Sequence, residues 1–150
     1  MTKKNLFLAL LVLALAALSL YLNKDRFRGE SIQIGSRWVT PRGWMRRNRK
    51  SPGKQLVFLL NNKYELTSVK VIPVDDIKTN RFPHPIWELT TDSNSVPTKE
   101  FFYGRNIRGM KPSVKGATPG ELEPGVAYRL FVEAGSLKAQ QDFTGAPATP

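Results

Sequence analysis

Ala127-Tyr128-Arg129-Leu130-Phe131-Val132-Glu133-Ala134 alternates without a break. Tyr128, Leu130, Val132 and Ala134 fall on one side, and Arg129, Phe131 and Glu133 on the other. Successive side chains of an extended chain point to opposite faces, so this stretch reads as a strand with one buried and one wet face. Downstream, Lys138 to Phe143 reads as the last strand, and Gly145 to Pro150 as a disordered tail. Upstream, Ile86 to Thr91 puts Trp87 and Leu89 on one face, and Glu100 to Tyr103 carries three consecutive aromatics. Gln55 to Leu60 is a compact apolar run, too short for a helix, followed by a turn candidate, Asn61-Asn62-Lys63. Tyr64 to Ile72 is rich in β-formers, and its apolar phase changes between Leu66 and Val69, which suggests a bulge near Thr67-Ser68. Ser31 to Val39 reads as a first strand, with Ile32, Ile34 and Trp38 at even spacing and Gly35 weakening it.

Between these runs lie a loop from Thr40 to Lys54, a polar connection from Pro73 to Pro85, a turn-rich stretch from Asp92 to Pro97 and a long loop from Gly104 to Gly125. About seven short strands with no helix between them predict an all-β fold, an antiparallel sandwich rather than a βαβ sheet. Composition agrees: Gly and Pro total 22 in 150 residues, all at or after Gly29, which is hostile to long helices there.

The first residues differ in kind. Leu6 to Leu22 is a run of 17 residues, nine of them Leu, preceded by Lys3 and Lys4. No polar face exists along it, so burial in a soluble core does not explain it. It reads as a signal anchor of one span, with a cleaved secretory signal as the alternative. Ala14-Leu15-Ala16 offers a small-x-small cleavage site, but Leu18, Leu20, Tyr21 and Leu22 prolong the apolar run past it and favour retention. Counting Lys and Arg, with Lys24, Arg26, Arg28, Arg37 and Arg42 following the span, keeps the C-terminal side in the cytoplasm. The order basic, apolar, small argues for export, and export is the reading adopted: a domain held in the periplasm or outside the cell, or secreted if cleaved.

The net charge of +11 is local: residues 1–54 hold 12 Lys and Arg against Asp25 and Glu30, whereas residues 55–150 hold 11 against 10 acids. The chain therefore divides into an apolar segment (1–22), a basic arm with a first strand (23–54), a nearly neutral sandwich (55–144) and a tail (145–150). In the arm, Trp44, Arg46, Arg47, Arg49 and Lys50 interleave aromatic and cationic side chains. That composition suits anionic lipid headgroups or an envelope polyanion. Nucleic acid, which it would also fit, is disfavoured for an exported chain.

Leu122-Glu123-Pro124-Gly125-Val126-Ala127-Tyr128-Arg129-Leu130 resembles the turn into the sixth strand of fibronectin type III domains, where Leu, Pro two on and Tyr four further recur. The resemblance spans residues 55–144. It implies an immunoglobulin-like sandwich in which Tyr128 forms a tyrosine corner, its hydroxyl bonded to upstream backbone, and Trp87 is the core tryptophan. It also implies a binding or spacer module and lends no catalytic residues. The phase break near Thr67 and the added N-terminal strand depart from the family's pattern.

Little else carries chemistry. There is no cysteine, which removes disulfides and thiolate sites, and one histidine, His84, flanked by Pro83 and Pro85. Ser51-Pro52-Gly53-Lys54 has Ser-x-x-Lys spacing without helix-forming residues or companion motifs. Asp75-Asp76 and Asp92-Ser93-Asn94 lack a calcium-loop pattern, and Lys115 to Glu121 lacks a phosphate-loop ending. No cofactor or metal is expected. An enzyme would need carboxylates such as Glu65, Asp75 or Glu88 to converge, and no enzyme is expected. Phe101, Tyr103 and Phe131 form a candidate face for an unidentified protein partner, since consecutive strand aromatics cannot all point inward; cover from the Gly104–Gly125 loop is the competing reading.

Overall fold

A computed structural model describes residues 3–22, 31–40 and 53–146. The chain forms two compact units, Met1–Glu30 and Ser31–Pro150. In the first, Lys3–Leu22 is one helix, α1, with no buried residue. Leu and Ala are strong helix formers and nothing in the run breaks the backbone ladder. Its 20 residues, at about 1.5 Å each, reach about 30 Å, the thickness of a bilayer's hydrocarbon core. By length and composition α1 can cross a membrane.

The second unit is built from strands: β1 (Ile34–Val39), β2 (Gln55–Tyr64), β3 (Ser68–Pro73), β4 (Trp87–Thr90), β5 (Thr98–Phe102), β6 (Lys111–Pro112), β7 (Ala127–Ala134) and β8 (Leu137–Thr144). A short helix, α2 (Val74–Thr79), follows β3. The strands form two antiparallel sheets, one of three in the order β1-β2-β5 and one of five in the order β6-β4-β3-β7-β8. Both contribute to one core. Leu56, Phe58, Leu60 and Phe101 come from the first, and Val69, Val71, Trp87, Leu89, Leu130, Val132 and Phe143 from the second. Phe58 joins them, its ring 5.4 Å from Phe101 and 5.2 Å from Phe143.

The alternation in Ala127–Ala134 is realised: Tyr128, Leu130 and Val132 are buried while Arg129, Phe131 and Glu133 lie on the outer face, half-buried. Tyr128 is buried, stacks on Phe143 at 5.7 Å, and its hydroxyl accepts the Glu123 N–H at 2.9 Å. This contact ties the turn at Pro124-Gly125 to the strand that follows it. Tyr128→Phe keeps the ring and strands a part-buried donor, so we expect a loss of about 1–2 kcal/mol in urea unfolding with the native fold retained.

Several expectations are corrected. Asn61-Asn62-Lys63 is not a turn: β2 runs on to Tyr64, although its pairing with β5 shifts register between Leu59 and Tyr64. The polar residues stay extended because Asn61 stands in for ladder groups. Its backbone N–H reaches the Gln33 carbonyl at 3.1 Å, its Oδ1 accepts the Gln33 N–H at 3.1 Å, and its Nδ2 donates to the Ser31 carbonyl at 3.0 Å. The phase break at Thr67-Ser68 is not a bulge within one strand but the crossing from one sheet to the other. Leu66, fully buried in that crossing, is held by Ser95, whose Oγ accepts its N–H at 2.8 Å. The connection from Pro73 contains α2, a helical segment among the strands, with Asp75 and Asp76 in its first turn and Lys78 in its last, the charge placement a helix dipole favours. The loop from Gly104 contains β6, which adds to β4 beside Leu89 and Thr90. Among the described residues the strand count is eight, against about seven expected.

The compact unit starts at Ser31, ahead of the boundary expected at residue 55, because β1 pairs along β2. At the other end Gly145 is buried and donates its N–H to the Val126 carbonyl at 2.9 Å, so the ordered chain runs past the start of the expected tail. A Cβ at Gly145 would overlap the Glu123 carbonyl. Residues 147–150 lie outside the described residues.

Candidate functional site

The basic segment falls in sequence between β1 and β2. Val39, on one side of it, faces Gln55, on the other, in the β1–β2 ladder. Trp44, Arg46, Arg47, Arg49 and Lys50 themselves lie outside the described residues, as does Ser51. The residues flanking them are described. Trp38 packs against the core, and Lys54 is exposed. Arg105, just past the end of β5, donates from its guanidinium to Gln55 Oε1 at 3.2 Å and lies over the Phe102 ring at 5.0 Å. A further cation therefore stands beside Gln55, the first residue of β2, one that the run of charges in sequence does not reveal.

Beside β4 is a hollow of about 380 Å³, lined among others by His84, Glu88, Asn106, Ser113 and Thr118. Burial would raise the Glu88 carboxyl. Hydrogen bonds from Ser113 at 2.6 Å and from Lys70 at 3.0 Å, with the charge of Lys70, outweigh that and hold it below its usual value. Glu88 is thus an ionised, fully engaged carboxylate. The other two carboxylates named above do not line this hollow: Glu65 bonds Asn94 at 2.9 Å, and Asp75 lies 3.8 Å from Lys78 in α2. The backbone N–H of His84 is held by Asp76 Oδ2 at 3.0 Å, and Asp92 pairs with Lys111 at 2.6 Å, pinning β6. Among the described residues no three His, Asp or Glu stand close enough to hold a metal ion together.

The three aromatics proposed as a partner face separate. Phe101 is buried between Phe58 and Trp87, with ring distances of 5.4 and 6.4 Å, so it has no surface to offer, and that expectation is corrected. Tyr103 is half-buried against Trp87 and donates its hydroxyl to the Gly120 carbonyl at 2.6 Å. Burial, together with Tyr128, pushes its phenol well above the usual range, and the loop expected to cover it does so. Trp87 is buried as expected, but on β4, whereas an immunoglobulin-type tryptophan stands on the third strand.

Phe131 alone stays on the outer face. Cα pairing sets Glu88, Lys70, Phe131 and Gln140 in one row across β4, β3, β7 and β8. Ion pairs frame it: Lys70–Glu88 at 3.0 Å, Lys138–Glu133 at 3.2 Å and Arg129–Asp142, a two-point contact at 2.6 and 2.9 Å. The Arg129 hydrogen bond, with the charges of Arg129 and Lys78, keeps the Asp142 carboxyl below its usual value. Phe131, Glu133, Lys138 and Gln140 line a shallow depression there. No family model matches this chain, and neither the curated proteins nor the solved structures include one that is significantly similar to it.

Proposed function

We propose that this protein is a membrane-tethered, non-enzymatic binding module. In this reading α1 is a retained anchor and residues 31–146 form an immunoglobulin- or fibronectin-III-like sandwich on the exported side. The loop bearing Trp44, Arg46, Arg47, Arg49 and Lys50 settles on anionic headgroups or envelope polymer. The observation that carries the tether is α1 itself: 20 residues with every side chain exposed and no polar face. The sandwich family is supported by strand order, with β1-β2-β5 opposite β4-β3-β7-β8, and by the Tyr128–Glu123 hydrogen bond. The position of Trp87, together with α2 and β6, departs from that family. A cleaved, secreted domain that binds carbohydrate or another polymer is the alternative class. Intact mass separates the two, because a tethered protein keeps residues 1–22.

For the loop, reversing Arg46, Arg47 and Arg49 to Glu should weaken binding of residues 31–150 to anionic vesicles by at least about tenfold at low salt, since each cation near such a surface contributes on the order of 1 kcal/mol. Added salt should weaken the native protein's binding in the same direction. Binding indifferent to both changes would reduce the loop to a connection.

A further inference from the structure

The outer strand of the five-stranded sheet, β8, pairs with β7 alone among the described residues. We propose that β8 is a homodimer seam: a second copy of this chain adds its own β8 antiparallel, with Gln140 at the two-fold axis. This does not rest on the membrane reading above.

Backbone geometry sets which groups face outward. The Gly135-Ser136 connection is a two-residue hairpin loop, with Ala134 opposite Leu137. Gly135 has φ 62° and Ser136 has no positive φ, the pattern of a type II′ turn, which closes on a hydrogen-bonded pair. Leu137, Ala139, Gln141 and Phe143 therefore direct their N–H and C=O groups at β7. Two neighbouring contacts agree: the Gly145 N–H goes to Val126, and the Glu133 carbonyl turns the other way, to Thr67 on the β3 side. Lys138, Gln140 and Asp142 are left with backbone groups directed outward and with exposed side chains on the sheet's outer face.

The side chains then choose the register. A two-fold axis at Gln140 sets Lys138 opposite Asp142 of the second copy, twice, and Leu137 opposite Phe143. Opposite charges meet on the wet face and apolar groups on the core side, the pairing that stabilises a sheet. Centring the axis on Lys138 or Asp142 would set like charges directly against each other. In the Gln140 register every outward backbone group of Lys138, Gln140 and Asp142 finds a partner, about six hydrogen bonds in an antiparallel ladder. An edge of unpaired groups is a template for another strand, and a self-complementary one is a template for its own copy.

The chain has no cysteine, so Gln140→Cys in the full-length protein places one thiol beside its own copy at the axis. Under mild oxidation in detergent most of the protein should run as a disulfide dimer. Adding Lys138→Glu, which opposes Asp142 with a like charge at both ends, should cut cross-linking by about fivefold or more. Adding Asp142→Lys to that pair should restore it, a rescue that local destabilisation would not produce. Cross-linking from Lys99→Cys, on the edge strand β5 of the other sheet, should be weak. Equal cross-linking there, indifference to Lys138→Glu, or a full-length wild-type chain that sediments as a monomer at every concentration would overturn the proposal.

Discussion

Phe58→Ala should lower the stability of the strand unit by about 3–5 kcal/mol, the range for deleting a fully buried aromatic side chain. Phe58 has no exposed surface, and its ring is a direct link between sheets, touching Phe101 in its own and Phe143 in the other. Removing it leaves a cavity that neither sheet can close without losing contacts elsewhere, because each is held by its own ladder. Domains of this size are commonly stable by about 5–15 kcal/mol, so the loss takes a large fraction of the total. The urea midpoint should fall accordingly, with Phe82→Ala, at a side chain 77% exposed, changing stability by less than about 0.5 kcal/mol.

The second large effect concerns α1. Replacing both Leu10 and Leu13 by Arg should release the protein from membranes. On an insertion scale each Leu near the centre of a span contributes roughly −0.5 kcal/mol, whereas Arg costs roughly 2.5–3.5 kcal/mol. Nine Leu together favour insertion by only about 4–5 kcal/mol, so two central Arg cancel the preference and one alone nearly does. Neither position belongs to the strand unit, which should unfold at an unchanged midpoint.

What the sequence discloses and what it hides have physical causes. Strands β4, β7 and β8 were legible because each keeps one face in the core, so hydropathy alternates with the pleat. Tyr128 was legible as a core residue because it falls on the inward phase of the alternating stretch that forms β7. The polar end of β2 was not, because Asn61 replaces ladder contacts with side-chain bonds to residues 28 and 30 positions away. Both α2 and β6 are shorter than any periodicity can register, at six and two residues. Phe101 and Tyr103 differ in burial, though neighbours in sequence, because the strand ends between them and the later loop folds over Tyr103. The basic loop was legible as charge. The pairing of Val39 with Gln55 on either side of it was not, since that is set by register rather than by composition.

Flotation on liposomes of the full-length chain, with and without Leu10→Arg and Leu13→Arg, read together with the urea unfolding midpoint, tests the two-unit organisation most directly. The expected result is that the native chain floats, the doubly substituted chain remains at the bottom, and both unfold cooperatively at the same midpoint. A substituted chain that still floats, or one released only with its strand unit unfolded, would contradict it.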